Sequence, residues 1–185
     1  MQENQPLATL IEPPQTSSAT LDACPKAADV FFVYGTLLDK DILRAVLNRS
    51  VCDTQMQYGT IAGYQKFTYP GDTFPILIPS PEQSVEGALL FDLSEQDLLR
   101  IDFYEGDEYG YAKVEAQLND GTVINALYNK AADEEIKSDV LWTLDYWQQH
   151  EKPQFIGYVE RYMALYGTMS IDEADVVWRN MVDAV

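Results

Sequence analysis

The sequence is poor in histidine, cysteine and basic residues, and each shortage removes a class of function. Its one histidine, His150, lies in the polar run WQQHEKP and reads as a solvated helix end rather than a ligand or base. Cys24 and Cys52 stand 28 positions apart and form no C-x-x-C pair. Neither a disulfide framework nor a His- or Cys-rich transition-metal site is expected, and a reducing cytoplasm is the compartment these residues suggest. Twelve basic residues against 30 acidic ones give a formal charge of −18. Such a field repels phosphate backbones and anionic membrane surfaces, so neither nucleic acid nor membrane is expected as a partner.

Long apolar runs are also missing. No stretch approaches the ~18 consecutive apolar residues of a membrane span. The first 28 residues carry no basic residue before Lys26 and no apolar core of a secretory signal. No G-x-G-x-x-G or Walker-type loop occurs, which leaves nucleotide binding without support.

What is present is a chain of 185 residues, 46% hydrophobic, suited to one domain with a sizeable core. Residues 1–28 hold four prolines and many small polar residues, and read as a tail or strap on a domain spanning 29–185. VFFVYGTLL (30–38) is an apolar run rich in β-formers, followed by the short helix KDILRAVLN, with Asp39 or Asp41 as its cap. From Gln55 to Leu93 the pattern is β, in short segments (YGTIAGYQKFTY, FPILIP, SVEGALLFDL) divided by Pro and Gly turns. SEQDLLRIDFYE switches to helical spacing, with Ser94 as N-cap and Asp97 as its reciprocal partner. AKVEAQL and TVINALYN flank the hairpin signal NDG. The region 134–185 reads as a helical extension: SDVLWTLDYWQQH, QFIGYVERYMALYG and SIDEADVVWRNMVDAV. Trp142, Tyr146 and Trp147 read as packing on the first of these helices, and Trp178, Val182 and Val185 as a docking stripe on the last. Alternating β-α-β units are absent, so an α+β domain with a small curled sheet or barrel fits best.

Two places could carry chemistry. IDFYEGDEY packs Asp102, Glu105, Asp107 and Glu108 into nine residues. If the preceding helix persists, Leu98, Ile101 and Glu105 follow i, i+3, i+7 spacing and share one face. A carboxylate in line with apolar residues loses hydration, and its raised pKa makes it a base suited to neutral pH. A helix that frays early leaves Glu105 in water instead. Asp102 falls one step off the stripe and reads as solvated, and Asp107 and Glu108 read as a solvated turn. The second place is Tyr34-Gly35-Thr36-Leu37, at a strand-to-helix junction where Gly35 can free successive N–H groups to hold an oxyanion or carboxylate. A glycine-marked strand end with Tyr34 in the core is the plainer alternative. Phe74 and Pro75 belong to a buried strand and could also line a pocket.

Taken in order, FFVYGTLLDKDILRAVLNR, GYQKFTYPGDTFPILIPSPEQSVEGALL and DLLRIDFYEGDEYGYAKVEA resemble the gamma-glutamylcyclotransferase-like family, which includes the plant avirulence-induced proteins and small bacterial members. The likeness covers about residues 30–130 and extends more weakly to about 163. It implies a cyclotransferase-like mixed β-barrel with a central helix and appended C-terminal helices. It further implies Glu105 as acid/base, Tyr34, Gly35, Thr36 and Leu37 as the substrate loop, and no metal or organic cofactor. The substrate class would be a small γ-glutamyl compound, cyclised to 5-oxoproline with release of an amine or amino acid. A non-catalytic binding or regulatory module with the same pocket is the competing reading, and self-association through either end of the chain stays open. One departure stands out. Many relatives place arginine soon after the motif's tyrosine, whereas Tyr109 is followed here by Gly110, Tyr111 and Ala112. Lys113, Lys66 and Arg44 are the nearest candidates for a compensating cation.

Overall fold

The computed structural model describes residues 29–133 and 135–183, so the expected N-terminal strap and Val185 lie outside the described residues. Strands β1 (Phe31–Val33), β2 (Met56–Thr68), β3 (Pro75–Leu90), β4 (Tyr109–Leu118) and β5 (Val123–Ala131) close into a barrel in the order β1-β3-β2-β4-β5. All neighbours are antiparallel except β1 and β5, whose parallel pairing of Phe31 with Leu127 makes the barrel mixed. Helices α1 (Lys40–Leu47), α2 (Glu95–Glu105), α3 (Leu144–His150), α4 (Lys152–Met163) and α5 (Ile171–Val182) complete the α+β architecture. None of the described helices is long and apolar enough to cross a membrane.

Strand alternation divides the core. Phe31 and Val33 pack with Ile42, Leu98, Ile101, Trp147 and Val159 of the helices. Phe32 and Tyr34 face the other way, with Ile61, Leu89, Ala116 and Tyr128 of the sheet. A period of two in one short strand thus welds the barrel to the helical layer.

Two expectations need correction. FPILIP and SVEGALLFDL are not separate strands: they join in the 16-residue β3, in which a register shift against β2 sets residues 75–79 apart from 84–90. Its proline-bearing half, Pro75 to Pro79, pairs with β2, while its β1 contacts are confined to residues 88–90. Missing N–H groups cost little on an edge with no partner strand. The helix expected from Ser138 starts only at Leu144, capped by Thr143. The residues before it lie extended along β2: Thr68 N–H donates to the Val140 carbonyl (2.7 Å) and Trp142 N–H to the Lys66 carbonyl (3.2 Å). Trp142 is therefore not on a helix, although it packs on Trp147 with ring centres 6.3 Å apart.

Candidate active site

Glu105 owes its position to how α2 begins and ends. The Ser94–Asp97 capping box opens the helix, and Asp97 is also gripped by Arg49 through Nε to Oδ1 (2.9 Å) and Nη2 to Oδ2 (2.7 Å). Burial alone would raise the Asp97 pKa, but the Arg49 and Ser94 hydrogen bonds carry it below the usual range. Leu98 and Ile101 are buried, and the helix persists through Glu105 before Gly106 ends it at φ 62°. Glu105 thus stays in register with the apolar stripe.

The opposite wall is the loop after β1. Tyr34 is buried and donates its hydroxyl to the Asn129 carbonyl (2.8 Å). The chain then passes through a 3-10 turn, Thr36–Leu38, closed by Leu38 N–H to the Gly35 carbonyl (3.0 Å). A Cβ on Gly35 would lie 2.7 Å from Pro75 Cγ, so close approach to β3 demands glycine there. Thr36 Oγ1 and the Tyr104 hydroxyl are 2.8 Å apart, tying the loop to α2 one residue before Glu105. Asp39 anchors the far end. Its Oδ1 caps α1 through the Asp41 and Ile42 N–H groups, and its Oδ2 accepts from Gln148 (2.7 Å) and Lys152 (2.8 Å). Burial opposes ionisation of Asp39, yet these donors hold its pKa low.

Between these walls lies a cavity of about 270 Å³. Tyr34, Gly35, Thr36, Leu37, Phe74, Pro75 and Glu105, dispersed over more than 70 positions of sequence, all line it. Glu105 is only partly buried by surface area because it opens onto the cavity, yet the surrounding protein withdraws most solvent. Desolvation, followed by the nearby Glu108 charge, pushes its pKa up to about 8. Burial and then Glu105 itself raise the Tyr34 and Tyr104 hydroxyls, keeping both as neutral hydrogen-bonding groups.

Two of the other three carboxylates depart from expectation. Asp102 is half-buried and accepts from the Tyr111 hydroxyl on β4 at 2.5 Å. Glu108 lines the cavity and is half-buried, with a pKa raised by burial. Asp107 alone is exposed as expected. None of the suggested cations lines the cavity among the described residues. Lys66 Nζ donates behind the loop to the Tyr34 and Glu86 carbonyls, each at 3.3 Å, Arg44 Nη2 reaches Asp41 at 3.4 Å, and Lys113 is exposed on β4. The cation that does line it is Arg179, from α5.

Two contributions were missed from sequence. Asn129 is buried on β5 beside Tyr34, and its Nδ2 has no hydrogen-bond partner. Nothing in NALYNK marks that position. From α5, Asp175, Trp178, Arg179 and Val182 all reach the cavity, at i, i+3, i+4, i+7 spacing. That face was legible in part as a docking stripe; that it packs on α4 and the Gly106–Glu108 turn and so walls the cavity was not.

Comparison with known proteins places this arrangement. The model of the family described as "Gamma-glutamyl cyclotransferase, AIG2-like" matches residues 31–149, more than half of the chain. The chain belongs to this family. Among curated relatives in Arabidopsis thaliana, AIG2-like protein C is 25% identical over 142 residues, covering 75% of this chain and 80% of the relative. AIG2-like protein B is 33% identical over 91 residues, covering 49% and 51%. Two solution structures of Arabidopsis thaliana proteins share the fold. One has a TM-score of 0.57 at 18% identity, over 79% of this chain and 87% of the other. The second has a TM-score of 0.53 at 24% identity, over 75% and 93%. The matched family region stops before α4 and α5, so the cavity wall supplied by α5 is outside it.

Proposed function

We propose that the protein is a cofactor-independent γ-glutamyl cyclotransferase acting on small γ-glutamyl amides. The observation that carries the reading is Glu105: a carboxyl whose pKa burial pushes up to about 8, able to take and return a proton near neutral pH, in a small cavity that the loop Tyr34–Leu37 also lines. The substrate's α-amine attacks its own γ-carbonyl carbon, forming the ring C–N bond. Glu105 accepts the amine proton and delivers it to the departing nitrogen as the γ-amide C–N bond breaks. The products are 5-oxoproline and a free amine. Because the nucleophile belongs to the substrate, the chain needs no activated serine or cysteine. A cavity of this size favours the folded, ring-ready conformer over an extended one.

Tyr34, Gly35, Thr36 and Leu37 hold the γ-glutamyl group, with Phe74 and Pro75 closing its apolar side. The N–H groups in the first turn of a 3-10 helix have no intrahelical partner, and the Asn129 amide adds a side-chain donor nearby. These donors stabilise the oxyanion of the tetrahedral intermediate.

Incubation with a panel of γ-glutamyl amines and dipeptides, following 5-oxoproline, tests the reading. Release of 5-oxoproline supports it. Saturable binding with no product favours the binding-module alternative, which the absence of arginine at 110–112 keeps in view.

A further inference from the structure

Lys66 is a cation without a counter-charge in a chain that has carboxylates to spare. Lys40, Arg44, Arg49 and Lys152 each meet an aspartate within 3.5 Å. Lys66 forms no ion pair among the described residues, although the formal charge is −18. Its Nζ donates instead to the Tyr34 and Glu86 carbonyls, and lies 5.3 Å from the centre of the Trp142 ring. Burial lowers its pKa, opposed in part by the Glu86 charge. A partly buried ammonium held by neutral groups costs free energy, and an apolar chain of the same length would cover Trp142 without that cost.

What the ammonium holds is the peptide that leads into the loop after β1. That strand ends its pairing with β3 at Val33 and with β5 at Phe32, so the Tyr34 carbonyl lies beyond both ladders. The Tyr34–Gly35 peptide is trans, and a planar trans unit sets its C=O and N–H in opposite directions. With the carbonyl turned toward Lys66, the Gly35 N–H points away from it, and it has no hydrogen-bond partner among the described residues. Tyr34 and Gly35 line the cavity, whereas Lys66 does not. The Thr36 and Leu37 N–H groups are oriented by the 3-10 turn itself. Gly35 precedes that turn, and without a Cβ little in its own residue resists rotation of the peptide.

We propose that Lys66 is a positioning residue for the oxyanion: it pins and polarises the Tyr34–Gly35 peptide, so that the Gly35 N–H is aimed into the cavity as a strengthened donor. The inference rests on the cyclotransferase reading, which supplies the developing anion. A cation hydrogen-bonded to a carbonyl oxygen draws electrons from the peptide nitrogen and makes its N–H a better donor. Placement behind the peptide also matters for Glu105. A cation set directly beside that carboxyl would favour its charged form and pull its pKa down. From behind the loop, the Lys66 charge reaches the intermediate through one peptide unit and stays out of contact with the residue that moves the proton.

The test compares wild type, Lys66→Met and Lys66→Arg in 5-oxoproline release from the γ-glutamyl amine that the wild type turns over fastest, with rates taken per folded molecule. Lys66→Met is expected to lower kcat by on the order of tenfold or more, short of the ~10²- to 10³-fold of deleting a donor outright, with KM little changed. Lys66→Arg, which keeps a charge and donors, is expected to recover most of that loss. An unchanged kcat in Lys66→Met, a loss carried by KM, or a loss that Lys66→Arg leaves as deep overturns the proposal. A second readout needs no turnover. Isotope labels on the tyrosine carbonyl and the glycine nitrogen isolate this peptide by NMR, since Tyr-Gly occurs at four places in the sequence. Titration with sodium acetate, a small carboxylate, is expected to shift the Gly35 amide proton in wild type and Lys66→Arg but not in Lys66→Met. If no γ-glutamyl amine yields 5-oxoproline, the cyclotransferase reading fails and the acetate titration decides the role of Lys66 alone. A shift in wild type that is lost in Lys66→Met upholds it; no shift in wild type, or the same shift in Lys66→Met, overturns it.

Discussion

Glu105 is a carboxyl whose surroundings disfavour its charge, and this has two consequences with the same cause. For stability, a folded pKa of about 8 against an ordinary value of 4.5 means that the unfolded chain ionises first as pH rises. The contribution of Glu105 is therefore intact below about pH 4.5 and is lost as pH climbs through 8. Glu105→Gln, which never ionises, is expected to exceed the wild type in stability at pH 8 by on the order of a few kcal/mol, reduced by cavity water. The difference should vanish below pH 4.5; denaturant melts of both proteins across that range check it. For catalysis, a general base must be ionised before substrate binds, so kcat/KM should rise with pH up to about 8. A flat profile from pH 6 to 9 would count against a base with this pKa. Asn129 makes the complementary prediction. If the Asn129 amide serves the oxyanion as proposed, Asn129→Ala should lower kcat by ~10²-fold or more with a smaller change in KM.

At the scale of elements, α2 and α5 illustrate what sequence patterns carry and what they omit. Every feature that places Glu105 is local: the Ser94–Asp97 box, the stripe through Leu98 and Ile101, and the terminating Gly106. Local features are legible, and the helix runs as its spacing implies. The same holds for the Asp39 cap of α1 and for the NDG hairpin, where Leu118 N–H bonds the Thr122 carbonyl at 2.8 Å. By contrast, Val140 and Trp142 bind β2 backbone from more than 70 positions away, and no periodicity announces such a partner. Proline misled in the opposite direction, since Pro79 breaks a central strand but not an edge. The α5 helix was read as a docking stripe because an amphipathic pattern reveals a buried face without naming what covers it. Its Trp178 meets Phe155, Tyr158 and Tyr162 edge-on, with centroids 5.4, 6.1 and 5.6 Å away. Because Trp178 is only partly buried, Trp178→Ala should cost less than the ~3–5 kcal/mol of a fully buried aromatic. It should raise KM more than it lowers kcat, since α5 shapes the cavity but holds no proton in flight. A thermal melt paired with steady-state kinetics separates the two effects.

Across the whole molecule, a charge of −18 and several carboxyls with raised pKa values act together. Burial raises Glu105, Glu108 and Asp72, so each favours folding while protonated and loses that contribution as pH rises. Asp39 and Asp97 are held low by their donors, and their contribution is lost as pH falls below about 3.8. Stability should therefore peak on the acid side, near pH 5, and fall toward pH 8, and added salt should narrow the gap by screening self-repulsion. A Tm at pH 8 equal to or above that at pH 5 would contradict this. Function at this scale is the meeting of the loop after β1, the end of α2 and the inner face of α5 around one small cavity. The central claim is that Glu105 moves the proton there. The most direct measurement is 5-oxoproline formation from the best γ-glutamyl amine by wild type and Glu105→Gln at equal folded concentration. Turnover is expected in the wild type, with a loss of ~10²- to 10⁴-fold in the variant. Undiminished turnover in Glu105→Gln would contradict it.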